Sequence, residues 1–381
     1  MQESGGANAF RLEALEALVY RAPIDIPVRT SFGRMRDRPA VLIRAVDKDG
    51  TEGWGEVWCN FPSVGAEHRA RLVEQIIAPL ICGREHASPD AVWRETTSAL
   101  EILAIQSGEF GPIAQAVAGV DIALWDLAAQ RAGLPVYRMF RQQEEQRVSV
   151  YASGLNPDNP ERLASERRAE GHRFFKLKVG FGRDRDIANL RALRDTLGPD
   201  CGLMIDANQG WPLDEAITMA GAVEPFGLQW LEEPLRADAP RRQWQELARA
   251  VSLPIAAGEN MRGEKNFAEA ISESALSVLQ PDIAKWGGFS GCVPVGRQAL
   301  ASGVRFCPHW LGGGIGLAAA MHLLAAVGGD GMVEIDANPN PLRSLTAGGF
   351  DSVSDGTVAM PDAPGLGCAP DLDSLREFRV D

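Results

Sequence analysis

The chain has little that would let it bind nucleic acid, cross a bilayer or rely on disulfides. Its six cysteines (Cys59, Cys82, Cys201, Cys292, Cys307, Cys368) are scattered and form no CxxC pair, so reduced thiols in a cytoplasm are the expectation. Met1 to Phe10 lacks the apolar core of a secretory leader. The longest apolar stretch, Ile315 to Val327, is interrupted by His322 and is too short to span a membrane. Positive charge is also short: 38 Lys and Arg face 51 Asp and Glu, a formal net charge of −13. A phosphate backbone calls for a basic face, so nucleic acid is excluded as the expected partner. What remains is ordinary globular usage, 45% hydrophobic and 23% charged, enough to bury a large core. The 381 residues exceed the roughly 250 of a parallel α/β barrel and leave room for a second domain.

The first segment differs in rhythm from the rest. Ala40 to Val46 and Glu52 to Val57 flank Asp49-Gly50, a hairpin signal, and helical patterns follow at His68 to Leu80, Asp90 to Leu103 and Pro112 to Arg131. This predicts an α+β module over residues 1–140. From Val148 onward, eight short apolar runs alternate with amphipathic stretches: Ser149 to Tyr151, Phe174 to Val179, Leu203 to Ile205, Leu228 to Leu231, Pro254 to Ala257, Leu276 to Leu279, Arg305 to Cys307 and Met332 to Ile335. Such alternation predicts an α/β fold with a closed parallel barrel over 141–338. Residues 339–381, rich in Gly, Pro and Asp, are expected to return to the first module.

Seven residues able to do acid, base or metal chemistry punctuate the barrel: Lys178, Asp206, Glu232, Glu259, Asp282, His309 and Glu334, at steps of 28, 26, 27, 23, 27 and 25. Each step is the length of one β/α unit, so each strand delivers one group to a common mouth. Asp206, Glu232 and Glu259 follow consecutive apolar runs on strands about 4.8 Å apart. Three carboxylates so close would repel one another without a cation, and a hard divalent ion, Mg2+ with Mn2+ as a substitute, suits their oxygens. By two-residue alternation, Asn208 shares a face with Asp206 and is placed at substrate, whereas Glu233 points away.

Lys176 and Lys178 occupy one face of the apolar strand Phe174 to Val179. A neighbouring cation and desolvation are expected to bring an amine down to about 7–8, which makes Lys178, nearer the strand end, the base. Lys176 is the perturbing cation or a ligand for a substrate carboxylate. On the far side, Asp282 is expected to orient His309, the one histidine of five that ends a strand. Glu334 is either an acid that hydrogen-bonds a substrate oxygen in its protonated form or an acid at a helix start. Together these groups point to removal of a proton next to a carboxylate, giving an enolate.

Lys176-x-Lys178, Asp206-x-Asn208, Glu232-Glu233-Pro234, Gly258-Glu259-Asn260, Pro281-Asp282-x-x-Lys285-x-Gly287-Gly288 and His309 resemble the mandelate racemase subgroup of the enolase superfamily. So do Ala116 to Asp126, Gly133 to Tyr137, and the closing Asp355 to Val358 and Pro364 to Gly367. The resemblance implies a (β/α)7β barrel, a modified TIM barrel, under an N-terminal capping domain completed by the C-terminal tail. It also implies one Mg2+ on Asp206, Glu232 and Glu259, bases Lys178 and His309 with Asp282, and Glu334 as a carboxylate-binding acid. The stretch Phe140 to Glu145 departs from the paired glycines usual before the barrel.

The implied enzyme is an acid-sugar dehydratase, a hydro-lyase acting on a small carboxylate. A racemase or epimerase using the same two bases is the alternative, and a silent metabolite-binding barrel ranks below both. Pairing of cap surfaces into a homo-oligomer is also implied. Substrate choice is expected in Thr30 to Arg38 and Phe61 to Val64, with Arg36 and, beside His309, Trp310 as substrate contacts. The Gly312 to Gly316 cluster is followed by no Walker lysine and reads as close backbone approach at a helix start.

Overall fold

The computed structural model describes residues 9–29, 33–143, 145–273 and 275–380. Strands β1 (Phe10–Arg29), β2 (Arg34–Asp47), β3 (Glu52–Val57) and β4 (Glu85–His86) form an antiparallel sheet in the order β3-β2-β1-β4. The β2–β3 hairpin turns where Asp49-Gly50 predicts: Asp47 Oδ1 accepts from Asp49 N at 2.8 Å and Thr51 N at 3.0 Å, and Gly50 takes φ +79°.

Helix Phe110–Ala132 packs on this sheet so closely that a Cβ on Gly55 would lie 2.2 Å from Gly119 O. By length and composition it could cross a membrane, but 89% of its most apolar window is buried inside the protein, as befits a core helix. Its two buried acids are tethers. Asp126 accepts from Trp54 N at 2.6 Å and Leu366 N at 2.7 Å, joining the sheet to the C-terminal tail, and Asp121 accepts from Ser290 Oγ at 2.5 Å in the barrel.

The barrel strands are β5 (Arg147–Leu155), β6 (Phe174–Lys178), β7 (Gly202–Asp206), β8 (Leu228–Glu232), β9 (Ile255–Ala257), β10 (Val278–Leu279), β11 (Arg305–Phe306) and β12 (Val333–Asp336), all parallel and separated by helices. They run in the order β11-β10-β9-β8-β7-β6-β5-β12, and a last strand, β13 (Thr357–Ala359), pairs antiparallel with β5. Every predicted strand run has its counterpart here. Tail residues meet the first sheet again where Val380 N donates to Val19 O at 2.9 Å.

Two-residue alternation then builds the site in tiers. Tyr151, Met204, Trp230, Ala256, Val278, Cys307 and Met332, with Phe174 against them, form an apolar plug inside the barrel. Two residues further along each strand come Ser153, Lys176, Asp206, Glu232, Gly258, Gln280, His309 and Glu334. The chain thus changes from apolar to charged within one tier, at the C-terminal mouth of the barrel.

His322, on the helix Gly314–Val327, is buried, with Nδ1 accepting from Tyr137 N at 3.2 Å and Nε2 3.2 Å from Leu366 O. Burial pushes it from 6.5 down to about 4, so it stays neutral. Its stabilising contribution is therefore present above its unfolded value and lost as pH falls towards the folded one. His322→Gln cannot titrate, so its stability deficit relative to wild type should narrow between about pH 7 and pH 5 in urea unfolding. A deficit constant over that range contradicts this assignment.

Candidate active site

The charged tier is a network rather than a set of independent groups. Lys176, fully buried on β6, pairs with Glu232 of β8 and, at 3.1 Å, with Glu334 of β12; its Nζ lies 5.2 Å from the Tyr151 ring centroid. Lys178 pairs with Asp206 at 2.5 Å. His309 Nδ1 stands 2.7 Å from Asp282 Oδ2, and its Nε2 stands 2.5 Å from Glu259 Oε2 and 3.5 Å from Glu334 Oε2. Burial lowers the imidazole, but Glu259, Glu334 and Asp282 more than reverse this and raise it to about 10. With a carboxylate at each nitrogen, both are donors. Glu334 N donates to Pro308 O at 3.5 Å across the seam between β12 and the end of β11, so β6 and β11 are three strands apart one way and five the other, and Lys178 and His309 stand across the barrel from each other.

Several expectations are corrected. Lys178 is not depressed: burial and Lys176 push it down, but Asp206, Glu334 and Glu232 push it further up. Glu334 is not a proton-bearing acid, because Lys176 and His309 overcome its burial and hold it at about 2. Asn208 reaches Asp206 through a left-handed turn (φ 43°) rather than by strand alternation, donating to Oδ2 at 3.0 Å. Glu259 is out of phase with Asp206 and Glu232. Gly258 takes the inward position with φ 148°, where a Cβ would lie 2.7 Å from Gln280 N.

Trp310 is 1% exposed; its Nε1 donates to Gly313 O at 2.9 Å and its ring fills the space a Cβ on Gly312 or Gly316 would need, so it packs the loop instead of contacting substrate. Arg36 lies exposed on β2, which already begins at Arg34, so Arg34, Arg36 and Arg38 are all on a strand rather than a loop. Arg38 is the one turned inward, buried against Asp336. Thr30, Ser31 and Phe32 of the expected substrate loop lie outside the described residues.

Two groups escaped the sequence reading. Gln280 Nε2 donates to Glu232 Oε2 at 2.6 Å; its position two residues after Val278 was the available signal. Glu56 of β3 fills the glycine cradle, accepting from Gly313 N at 2.6 Å and Gly316 N at 2.8 Å, and burial raises it to about 7. No local pattern marks it, since its partners lie 257 and 260 residues away.

The charge balance bears on a metal. Asp206, Glu232, Glu233, Asp282 and Glu334 are buried and the Glu259 side chain is only 12% exposed, whereas the buried cations around them are Lys176, Lys178, Lys285 and His309. Even with His309 protonated, two negative charges are left over. Consistently, burial together with neighbouring carboxylates raises Glu232 to about 7 and Glu233 to about 8. A divalent cation with a preference for oxygen matches both the deficit and the donors. Among the described residues, however, no three His, Cys, Asp or Glu side chains are gathered as a ligand set; the inward oxygen of Glu259, Oε2, faces His309.

Comparison with known proteins covers nearly the whole chain. Residues 14–140 match the mandelate racemase/muconate lactonizing enzyme N-terminal domain, and residues 160–374 match the enolase C-terminal domain-like family. D-galactarolactone cycloisomerase of Agrobacterium fabrum is 33% identical over 97% of this chain and 99% of its own length. A solved mandelate racemase/muconate lactonizing enzyme from Bordetella bronchiseptica RB50 is 50% identical with a TM-score of 0.92, over 97% of this chain and 99% of that one. A racemase from Streptomyces coelicolor A3(2), solved with bound magnesium, is 29% identical with a TM-score of 0.88, over 97% of this chain and all of that one. Further relatives include dehydratases of sugar acids, epimerases and racemases.

Proposed function

The chain belongs to the mandelate racemase/muconate lactonizing enzyme family of the enolase superfamily, and on that footing we propose that it removes the proton α to the carboxylate of a sugar acid and then expels a β-oxygen as water. The observation that carries this reading is the placement of two proton-handling groups, Lys178 and the His309–Asp282 pair, on opposite walls of a cup with two uncompensated negative charges. Asp206, Glu232 and Glu259 would hold a divalent ion, Mg2+ or Mn2+, which supplies positive charge to stabilise an enolate and to draw the Asp206 charge away from Lys178.

With the Asp206 charge so drawn away, Lys178 would be a neutral amine and take the α-proton at Nζ. His309 hands a proton from Nε2 to the departing hydroxyl, with Asp282 fixing the ring through Nδ1. Lys176, held between Glu232 and Glu334, is the cation at the floor of the cup and, with a divalent ion bound beside it, would help to draw in a substrate carboxylate.

A second reading is favoured by the likeness to D-galactarolactone cycloisomerase. There the departing β-oxygen would be the ring oxygen of a lactone, so elimination opens the ring and conserves every atom. Both readings share the first proton transfer and differ in the leaving group. Reprotonation by His309 from the opposite face would give the racemase alternative.

Incubation with Mg2+ and a panel of mono- and diacid sugars and their lactones tests this, with products weighed by mass spectrometry. A product lighter by one water supports the dehydratase, a ring-opened product of unchanged mass the cycloisomerase, and a stereoisomer of the substrate the racemase. Turnover that survives complete chelation of metal contradicts the common mechanism.

A further inference from the structure

Lys285 has no part in the chemistry above, yet it reaches both a carboxylate beside His309 and an aromatic ring of the cap. It is 7% exposed, and its Nζ donates to Glu259 Oε1 at 3.1 Å and Asn260 Oδ1 at 3.2 Å. Asn260 Nδ2 also donates to Glu259 Oε1 at 2.9 Å, and to the two Glu233 oxygens at 2.9 and 3.1 Å. Glu259 Oε1 is thus held from outside by two donors, while Oε2 is left facing His309 Nε2 at 2.5 Å.

The same segment treats Asp282 alike. Lys285 N and Ala284 N donate to Asp282 Oδ1 at 3.0 and 2.9 Å, which leaves Oδ2 for His309 Nδ1. One short stretch therefore fixes one oxygen of Glu259 and one of Asp282 and leaves the other of each facing the imidazole.

The cap closes this arrangement from above. The Lys285 ammonium lies 4.4 Å from the ring centroid of Trp58, the residue that follows β3, and Trp58 N donates to Ala284 O at 3.4 Å. An aromatic face attracts the cation, and confinement removes much of the rotamer freedom a lysine otherwise keeps.

We propose that Lys285 is a positioning residue: clamped under Trp58, it holds Glu259 with Oε1 turned outward and Oε2 turned into the cup, so that the cap sets the geometry of a metal-ligand carboxylate. The inference rests on the reading of Glu259 as a ligand of the divalent ion. It opposes simple electrostatics, because deleting a cation near a bound ion should by itself tighten that ion, whereas deleting an orienting partner should loosen it by about 10–100-fold.

Mn2+ binding to the full chain without substrate, followed by electron paramagnetic resonance, separates the two. Lys285→Met and Trp58→Leu are expected to weaken Mn2+ at least about tenfold, while Trp58→Phe, which keeps an aromatic face, stays near wild type. Should Lys285→Met fail to fold, Trp58→Leu carries the test, with circular dichroism confirming its fold. Unchanged or tighter binding in the folded variants overturns the positioning role while leaving the ligand reading intact. If wild type binds no Mn2+, or Glu259→Gln binds it as well as wild type, the ligand reading fails and the inference falls with it.

Discussion

Lys178→Met is expected to lower kcat on the best sugar acid by about 10²–10⁴, the range that loss of a general base commands, with KM changed only severalfold. The side chain stays similar in length and apolar bulk, so the strand should keep its packing between Phe175 and Val179, while the one group able to take the α-proton on that wall is gone. Asp206 then loses its partner at 2.5 Å and keeps only Lys176, 3.8 Å away, and a buried carboxylate so weakly paired is costly. The variant should therefore melt lower without divalent ion and recover part of the loss when Mg2+ is added. Activity within about tenfold of wild type would remove Lys178 from the role of base. Loss of activity accompanied by loss of Mg2+ binding would mean that the lysine acts through the metal ligands instead.

His309→Asn is expected to divide the reaction. Removal of the α-proton belongs to Lys178 on the opposite wall, so exchange of that proton with solvent should continue, while product formation falls by about 10²–10⁴ for want of an acid at the leaving oxygen. Asparagine retains a polar group that can still meet Asp282 or Glu259 but carries no transferable proton near neutral pH. The comparison is made on one sample, with exchange read by nuclear magnetic resonance and product by mass spectrometry. If exchange and product formation fall together, His309 is the base and the assignment of the two walls is reversed. If neither falls, it has no part in proton transfer.

The architecture was legible because strand length, side-chain period and unit length are local properties. Eight apolar runs at steps near 26 residues can hardly be arranged except as parallel strands with helices between them, and each inward residue follows from the plug residue two positions earlier. The types of chemical group were legible for the same reason.

Their states were not, because a side chain's charge depends on strands far away in sequence. Lys178 has a cation two residues off, which argued for a lowered amine, but Asp206 and Glu334, 28 and 156 positions on, reverse it. Glu334 is held ionised by Lys176 and His309 for the same reason. Single-residue departures from strand phase were equally hidden. Gly258 pushes Glu259 out of register and a left-handed Asn208 folds back on Asp206, and neither follows from a period of two. Adjacency to His309 predicts a substrate contact for Trp310, but the glycines that make room for its ring lie in the following loop and helix. Glu56 had no signal at all, since its role is created by glycines from the other end of the chain.

Enolate formation is decided by the fate of one hydrogen. A sugar acid deuterated at the carbon next to its carboxylate, turned over in ordinary water with Mg2+ and followed by nuclear magnetic resonance, should lose that deuterium as product forms, keep it with Lys178→Met, and lose it without product with His309→Asn. A product that retains the α-deuterium would contradict enolate formation, and with it the assignment of Lys178 and His309 to the two walls.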